Sequence, residues 1–130
     1  MTILIVDDEP VILGIAARIL RAENHEVAGA GTGEEALRLF NQRASAFELV
    51  ISDVSMPGMD GIELARYIGR FPNKVPVILM SGFAEASPDV FGRIKNGRLD
   101  KYLFLEKPFF PHELFEVISA AVSHQHQCAR

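Results

Sequence analysis

The sequence predicts an α/β fold built on an open, doubly wound parallel sheet, and three observations carry that reading. Apolar runs of four to six residues recur along the chain, longer stretches of helical period lie between them, and helix start and stop signals stand at the junctions. Short continuous apolar runs suit strands buried on both faces, and regular alternation with helices is what a parallel sheet needs.

The elements follow in order. A strand is predicted at 2–6, and a helix follows Glu9-Pro10 and fades at Asn24. After a strand at 26–30, the capping-box pattern Thr32-x-x-Glu35 opens the second helix. The third strand is predicted at 48–52, and Asp60-x-x-Glu63 opens a third helix that ends at Phe71-Pro72. Beyond a strand at 76–80, Ser87-Pro88-Asp89 supplies an N-cap and a first-turn proline, and Asn96-Gly97 ends that fourth helix. Gly92 inside it makes it the least stable of the set. The last strand is predicted at 102–106. The last helix opens at Pro111, where Phe110 offers no side-chain cap, and Leu114, Phe115, Val117, Ile118, Ala121 and Val122 form its broad apolar face.

With 130 residues, 48% of them hydrophobic and 23% charged, the chain fits one compact domain, placed at 1–123, with a disordered polar tail at 124–130. A net charge of −4 and a pI near 5.5, with basic residues scattered singly, argue against a direct nucleic-acid surface. Cys128 is the only cysteine, so no intrachain disulfide forms. There is no secretory pattern and no apolar stretch near the ~20 residues a membrane helix needs, so a soluble, cytoplasmic protein without membrane contact is expected.

Charged residues cluster where the apolar runs end. Asp7 and Asp8 close the first run, Asp53 the third, and Lys107 the last. Open α/β sheets bind ligands beyond the carboxyl ends of their strands, and every one of these residues stands at such an end. If the first and third strands are neighbours the three aspartates meet, and like charges that close require a cation. Mg²⁺ matches oxygen donors of this kind together with a phosphate, and Lys107 supplies a compact charge for a phosphoryl oxygen. Ser81, at the end of Pro76-Val77-Ile78-Leu79-Met80, adds a hydroxyl, and Gly82 leaves room beside it. A carboxylate nucleophile, a metal and two donors are the parts needed to form and hold an aspartyl phosphate.

The blocks Ile5-Val6-Asp7-Asp8-Glu9-Pro10, Ser52-Asp53-Val54-Ser55-Met56-Pro57-Gly58-Met59-Asp60-Gly61, Met80-Ser81-Gly82 and Phe104-Leu105-Glu106-Lys107-Pro108-Phe109 together resemble the signature of response-regulator receiver domains. The resemblance runs from Thr2 to about Val122 and implies a flavodoxin-like sheet of order 2-1-3-4-5. It implies that Asp53 is the phosphoacceptor, supplied by a histidine kinase or histidine phosphotransfer protein. Asp8, Asp53 and the Ser55 backbone carbonyl would ligate Mg²⁺, with Asp7 acting through water. Ser81 and Lys107 would contact the phosphoryl group, Phe104 would be the switch aromatic, and the Lys107-Pro108 bond would be cis. Such a domain is a signalling switch that catalyses its own phosphorylation and dephosphorylation, as a monomer or a phosphorylation-dependent dimer.

Two features depart from the family pattern. Phe104 lacks the hydroxyl that many relatives carry there, and the stretch from Ser81 to Lys107 is longer and without the usual Gly-Ala pair. In that stretch the chain is similar to receivers of hybrid histidine kinases, so an excised receiver of a larger regulator stands beside a free module. Two rival chemistries each meet an obstacle in particular residues. Gly31-Thr32-Gly33-Glu34-Glu35-Ala36 fits a dinucleotide pattern, yet Glu34 and Glu35 would repel a pyrophosphate. An aspartyl-phosphate phosphatase of the haloacid-dehalogenase type needs an aspartate where Ser55 stands.

Overall fold

The structure, a computed structural model, describes residues 1–43, 46–82 and 102–128. Strands β1 (Thr2–Val6), β2 (Glu26–Ala30), β3 (Leu49–Asp53), β4 (Val77–Gly82) and β5 (Leu103–Lys107) form one parallel sheet in the order β2-β1-β3-β4-β5. The described helices are α1 (Pro10–Ala22), α2 (Gly33–Gln42), α3 (Gly61–Gly69) and α4 (Pro111–Cys128). The helix expected at 87–97 lies outside the described residues.

Side chains alternate across a strand, so each buried strand feeds two cores. Ile3, Ile5, Leu49, Ile51, Ile78, Met80 and Leu105 pack on one face against Ala16 and Leu20 of α1 and Leu114, Ile118 and Ala121 of α4. Leu4, Val6, Val50, Val77 and Leu79 pack on the other against Ala36 and Phe40 of α2 and Ile62, Ala65 and Ile68 of α3. Phe40 anchors this second core, stacked on Phe47 at 6.0 Å and meeting Phe71 edge-on at 4.7 Å. Met56 and Met80 are buried in these cores as packing residues.

Several element ends differ from expectation by local chemistry. Strands β3, β4 and β5 begin one residue later than predicted, and Asp53 and Lys107 are the last residues of their strands. At α2, Thr32 Oγ1 accepts from the Glu35 amide as expected, but the Glu35 carboxylate accepts from the Gly31 amide, so the reciprocal half of the box reaches one residue further back. Asp60 and Glu63 complete a full capping box at α3. That helix ends at Gly69, two residues early, because Arg70 and Phe71 donate to the carbonyls three residues back and Phe71 turns in toward Phe40. At the last helix, where Phe110 has no capping side chain, Glu113 instead accepts from the Phe110 amide at 2.7 Å. Helix α4 continues through Cys128, past the domain boundary expected at 123, since Ser123–Gln127 contains no glycine or proline to stop it. Among the described residues no helix is long and apolar enough to cross a membrane.

Two glycines give opposite expectations. A Cβ at Gly61 would run into the Asp53 carbonyl oxygen, whereas one at Gly14, on the exposed side of α1, meets nothing within 4 Å. Gly61→Ala should lower the unfolding free energy by about 1–3 kcal/mol through overpacking, and Gly14→Ala should raise it by about 0.5–1 kcal/mol. Urea unfolding of both variants checks the pair; a Gly61→Ala protein as stable as wild type would show that α3 does not press on the end of β3.

Candidate functional site

The site is assembled by period-2 alternation on one sheet face. Ile3-Ile5-Asp7, Leu49-Ile51-Asp53 and Leu103-Leu105-Lys107 each run from the core between α1 and α4 to the carboxyl edge, so Asp7, Asp53 and Lys107 emerge on that same face. Val6 pairs with Ser52, which sets Asp7 level with Asp53 on adjacent strands. Asp53 pairs with Met80 and Met80 with Leu105, so Lys107 stands two residues further out on β5, with β4 between. Two strand spacings amount to about 10 Å. Gly82, the β4 partner of Lys107, lies on this face with no side chain, and the lysine stem crosses there.

The crossing brings opposite charges into contact. Lys107 Nζ donates to Asp7 Oδ2 at 3.1 Å and lies 3.2 Å from Asp53 Oδ2, with both carboxylates fully buried and the lysine 9% exposed. It also lies 3.9 Å from Glu9 Oε1. Burial pushes the Lys107 ammonium toward deprotonation, but the hydrogen bond to Asp7 and the charges of Asp53 and Asp7 outweigh it, and its pKa is raised above the ordinary 10.5. The other oxygen of Asp7 accepts from the Glu9 amide at 2.9 Å, closing the turn into α1 and leaving Asp8 exposed at the rim.

Asp7, Asp8, Glu9 and Asp53 each bring a carboxylate oxygen to within 4.8 Å of the others. Glu9 was not among the residues expected from sequence; its direct continuation of the Asp7-Asp8 run was the available signal. Four carboxylates share this cluster with one ammonium, and the all-oxygen donor set fits Mg²⁺. The Ser55 amide donates to Asp53 Oδ1 at 3.4 Å, placing the start of the following loop beside the carboxylate.

Ser81 and Phe104 belong to the other alternation. Val77, Leu79, Tyr102 and Phe104 pack in the core of α2 and α3, Ser81 and exposed Glu106 continue that face to the edge, and pairing of Leu79 with Phe104 and of Ser81 with Glu106 makes Ser81 and Phe104 diagonal neighbours. Both are half-buried. Asp60 serves as a helix cap and lies outside the carboxylate cluster. The glycine pattern at 31–36 is not arranged for a pyrophosphate, because the Glu34 and Glu35 carboxylates take the amides of Met59 and Gly31, and a Cβ at Gly33 would lie 2.7 Å from the Met59 carbonyl oxygen.

A stability test follows from the raised lysine. Because its folded-state pKa exceeds its unfolded one, the stabilisation is present in full below about pH 10 and is lost as pH rises through the folded value. Lys107→Met should cost about 1–3 kcal/mol at neutral pH, less than a fully enclosed pair because the rim is open to water. The difference from wild type in urea unfolding should hold steady to about pH 9 and shrink above about pH 10.5. A difference that stays constant through strong alkali would show that the ammonium charge is not its source.

Comparison with known proteins agrees with this geometry. The family model for the response regulator receiver domain matches residues 3–119. The two-component response regulator ARR11 of Arabidopsis thaliana is 39% identical over 114 residues, covering 88% of this chain and 21% of the relative. The sensor kinase CckA of Brucella abortus is 34% identical over 125 residues, covering 95% of this chain and 13% of the relative. The chain thus spans about a fifth or less of the length of these two relatives. Among solved structures, a response regulator receiver domain protein from Clostridium thermocellum superposes with a TM-score of 0.83 at 27% identity, covering 98% of both chains. The receiver domain of the hybrid histidine kinase CckA gives 0.75 at 33% identity, covering 93% of this chain and 98% of the other. With sheet order, charged edge and sequence in agreement over nearly its whole length, the chain belongs to the response regulator receiver domain family of two-component signalling.

Proposed function

We propose that this receiver accepts a phosphoryl group on Asp53 from a phosphohistidine of a histidine kinase or histidine phosphotransfer protein. The observation that carries the reading is the fully buried Asp53 carboxylate, 3.2 Å from the Lys107 ammonium at the ligand-binding edge of the sheet. A carboxylate oxygen of Asp53 attacks phosphorus, the P–N bond to the donor imidazole breaks, and the imidazole leaves with the bonding pair and takes a proton. The product is an acyl phosphate, which water later hydrolyses.

Asp8, Asp53 and the Ser55 carbonyl would hold Mg²⁺, with Asp7 acting through water, and Glu9 adds charge to the same cluster. When bound, the ion supplies charge neutralisation for the phosphoryl oxygens. Lys107 is already poised for the same charge: its ammonium loses part of its pairing with Asp53 when that group is phosphorylated and turns to the phosphoryl oxygens. Ser81 donates its hydroxyl to the phosphoryl group from the end of β4, and Phe104, its diagonal neighbour, repacks as Ser81 moves. With no hydroxyl on Phe104, the change propagates by packing against the core of α2 and α3 alone. The output is a changed protein-binding surface, in a free module or in a larger regulator.

With acetyl phosphate and a divalent ion, wild type should acquire acid-stable, base-labile phosphate, and Asp53→Asn should acquire none; label persisting on that variant would sink the assignment. Lys107→Ala should keep Mg²⁺ binding largely intact, since its loss removes no ligand. Phosphorylation should then no longer shift the aromatic NMR signals of Phe104, and an unchanged Phe104 response would break the proposed link from Lys107.

A further inference from the structure

The loop between β3 and α3 carries Ser55 and begins at Asp53. Its ends are held by backbone bonds, Val54 N–H to the Met80 carbonyl and Gly61 N–H to the Val54 carbonyl, both 2.9 Å, and by the Asp60 cap. Its middle runs through exposed Pro57 and through Gly58, which has φ +76°. That middle is reached from α2. The carboxylate of Glu34 accepts from the Met59 amide at 3.0 Å, across 25 residues of sequence. The start of α2 lies close there too: a Cβ at Gly33 would lie 2.7 Å from the Met59 carbonyl oxygen, and one at Gly58 would lie 2.8 Å from the Glu34 carboxylate.

From this arrangement we propose that Glu34 is a positioning residue for the phosphorylation site, fixing through Met59 the loop that presents the Ser55 carbonyl. The inference rests on the reading of Asp53, Asp8 and Ser55 as the metal site. Among the described residues the bond given to Ser55 is a long one, from its amide to Asp53 at 3.4 Å, so the hold on the rest of the loop bears on its orientation. The Glu34 carboxyl lies below the ordinary carboxylate range because it accepts from its own amide and from that of Met59, which accords with a held side chain. An exposed glutamate in the first turn of a helix also favours the helix dipole, and charge and acceptor roles must be separated.

Glu34→Gln removes the charge and keeps a carbonyl acceptor, and Glu34→Ala removes both. Mg²⁺ titration followed by the amide NMR signals of Asp53 and Ser55 should show about tenfold weaker binding in Glu34→Ala, the low end for outer-shell partners of a metal site. Glu34→Gln should stay within about twofold of wild type. Both variants lose the same dipole interaction, so Glu34→Gln should unfold at a higher urea midpoint than Glu34→Ala, by the bond to Met59 that it keeps. Wild-type affinity in Glu34→Ala, or equal weakening in the two variants, overturns the positioning role while leaving the metal site standing. Wild type that binds no Mg²⁺ overturns both together.

Discussion

The buried contact of Lys107 with Asp7 and Asp53 is the constraint from which the rest of this molecule follows. It joins β1, β3 and β5 across the carboxyl edge, and it spans the β4 strand that lies between two of them. Two fully buried carboxylates are tolerated at neutral pH only with a cation against them, and the fold supplies Lys107 from a strand two places from β3 and three from β1. The register of the whole sheet is committed to that meeting. Shifting any one of the three strands by one residue would move its charged side chain to the opposite face and strand the other two.

The same contact leaves a deliberate imbalance. Lys107 satisfies Asp7 and Asp53 while Asp8 and Glu9 remain exposed at the rim of a cluster still rich in negative charge. An edge built this way offers an all-oxygen donor set of the kind that suits a small hard cation. Asp7 illustrates how economically the edge is made: one oxygen closes the backbone turn into α1 and the other meets the lysine.

The charged residues and the Ser81–Phe104 pair are divided between the two sheet faces. The charged residues rise from the core of α1 and α4, whereas Ser81 and Phe104 rise from the core of α2 and α3. The two sets meet at the strand ends, where a side chain can turn from one face toward the other. Ser81, penultimate in β4, occupies such a place. The loop after Asp53 is a second junction, in contact with α2 through Glu34 and Gly33.

Much of this was legible in the sequence because it is local. Apolar runs, capping residues and the Pro10 and Pro111 helix starts report the conformation of neighbouring residues, and they placed all the described strands and helices to within one or two residues at most ends. The charged strand ends and the four signature blocks pointed to Asp7, Asp8, Asp53 and Lys107 before any contact was known. Where α3 stops was decided by Phe71 packing on Phe40, and the partner of the Glu35 carboxylate by the path of the chain before α2, neither of which is a property of a sequence window. No site role is assigned to Glu9 or Glu34 from the sequence, and the fold sets one beside Asp53 and the other against Met59. By itself the sequence determined the elements, their order and the chemical types at the strand ends, since hydrophobic period and backbone preference act over a few residues. Tertiary structure alone decided which charges touch and which loop α2 holds, because those contacts join residues 25 and 100 positions apart, and only strand register and sheet order bring them within hydrogen-bond reach.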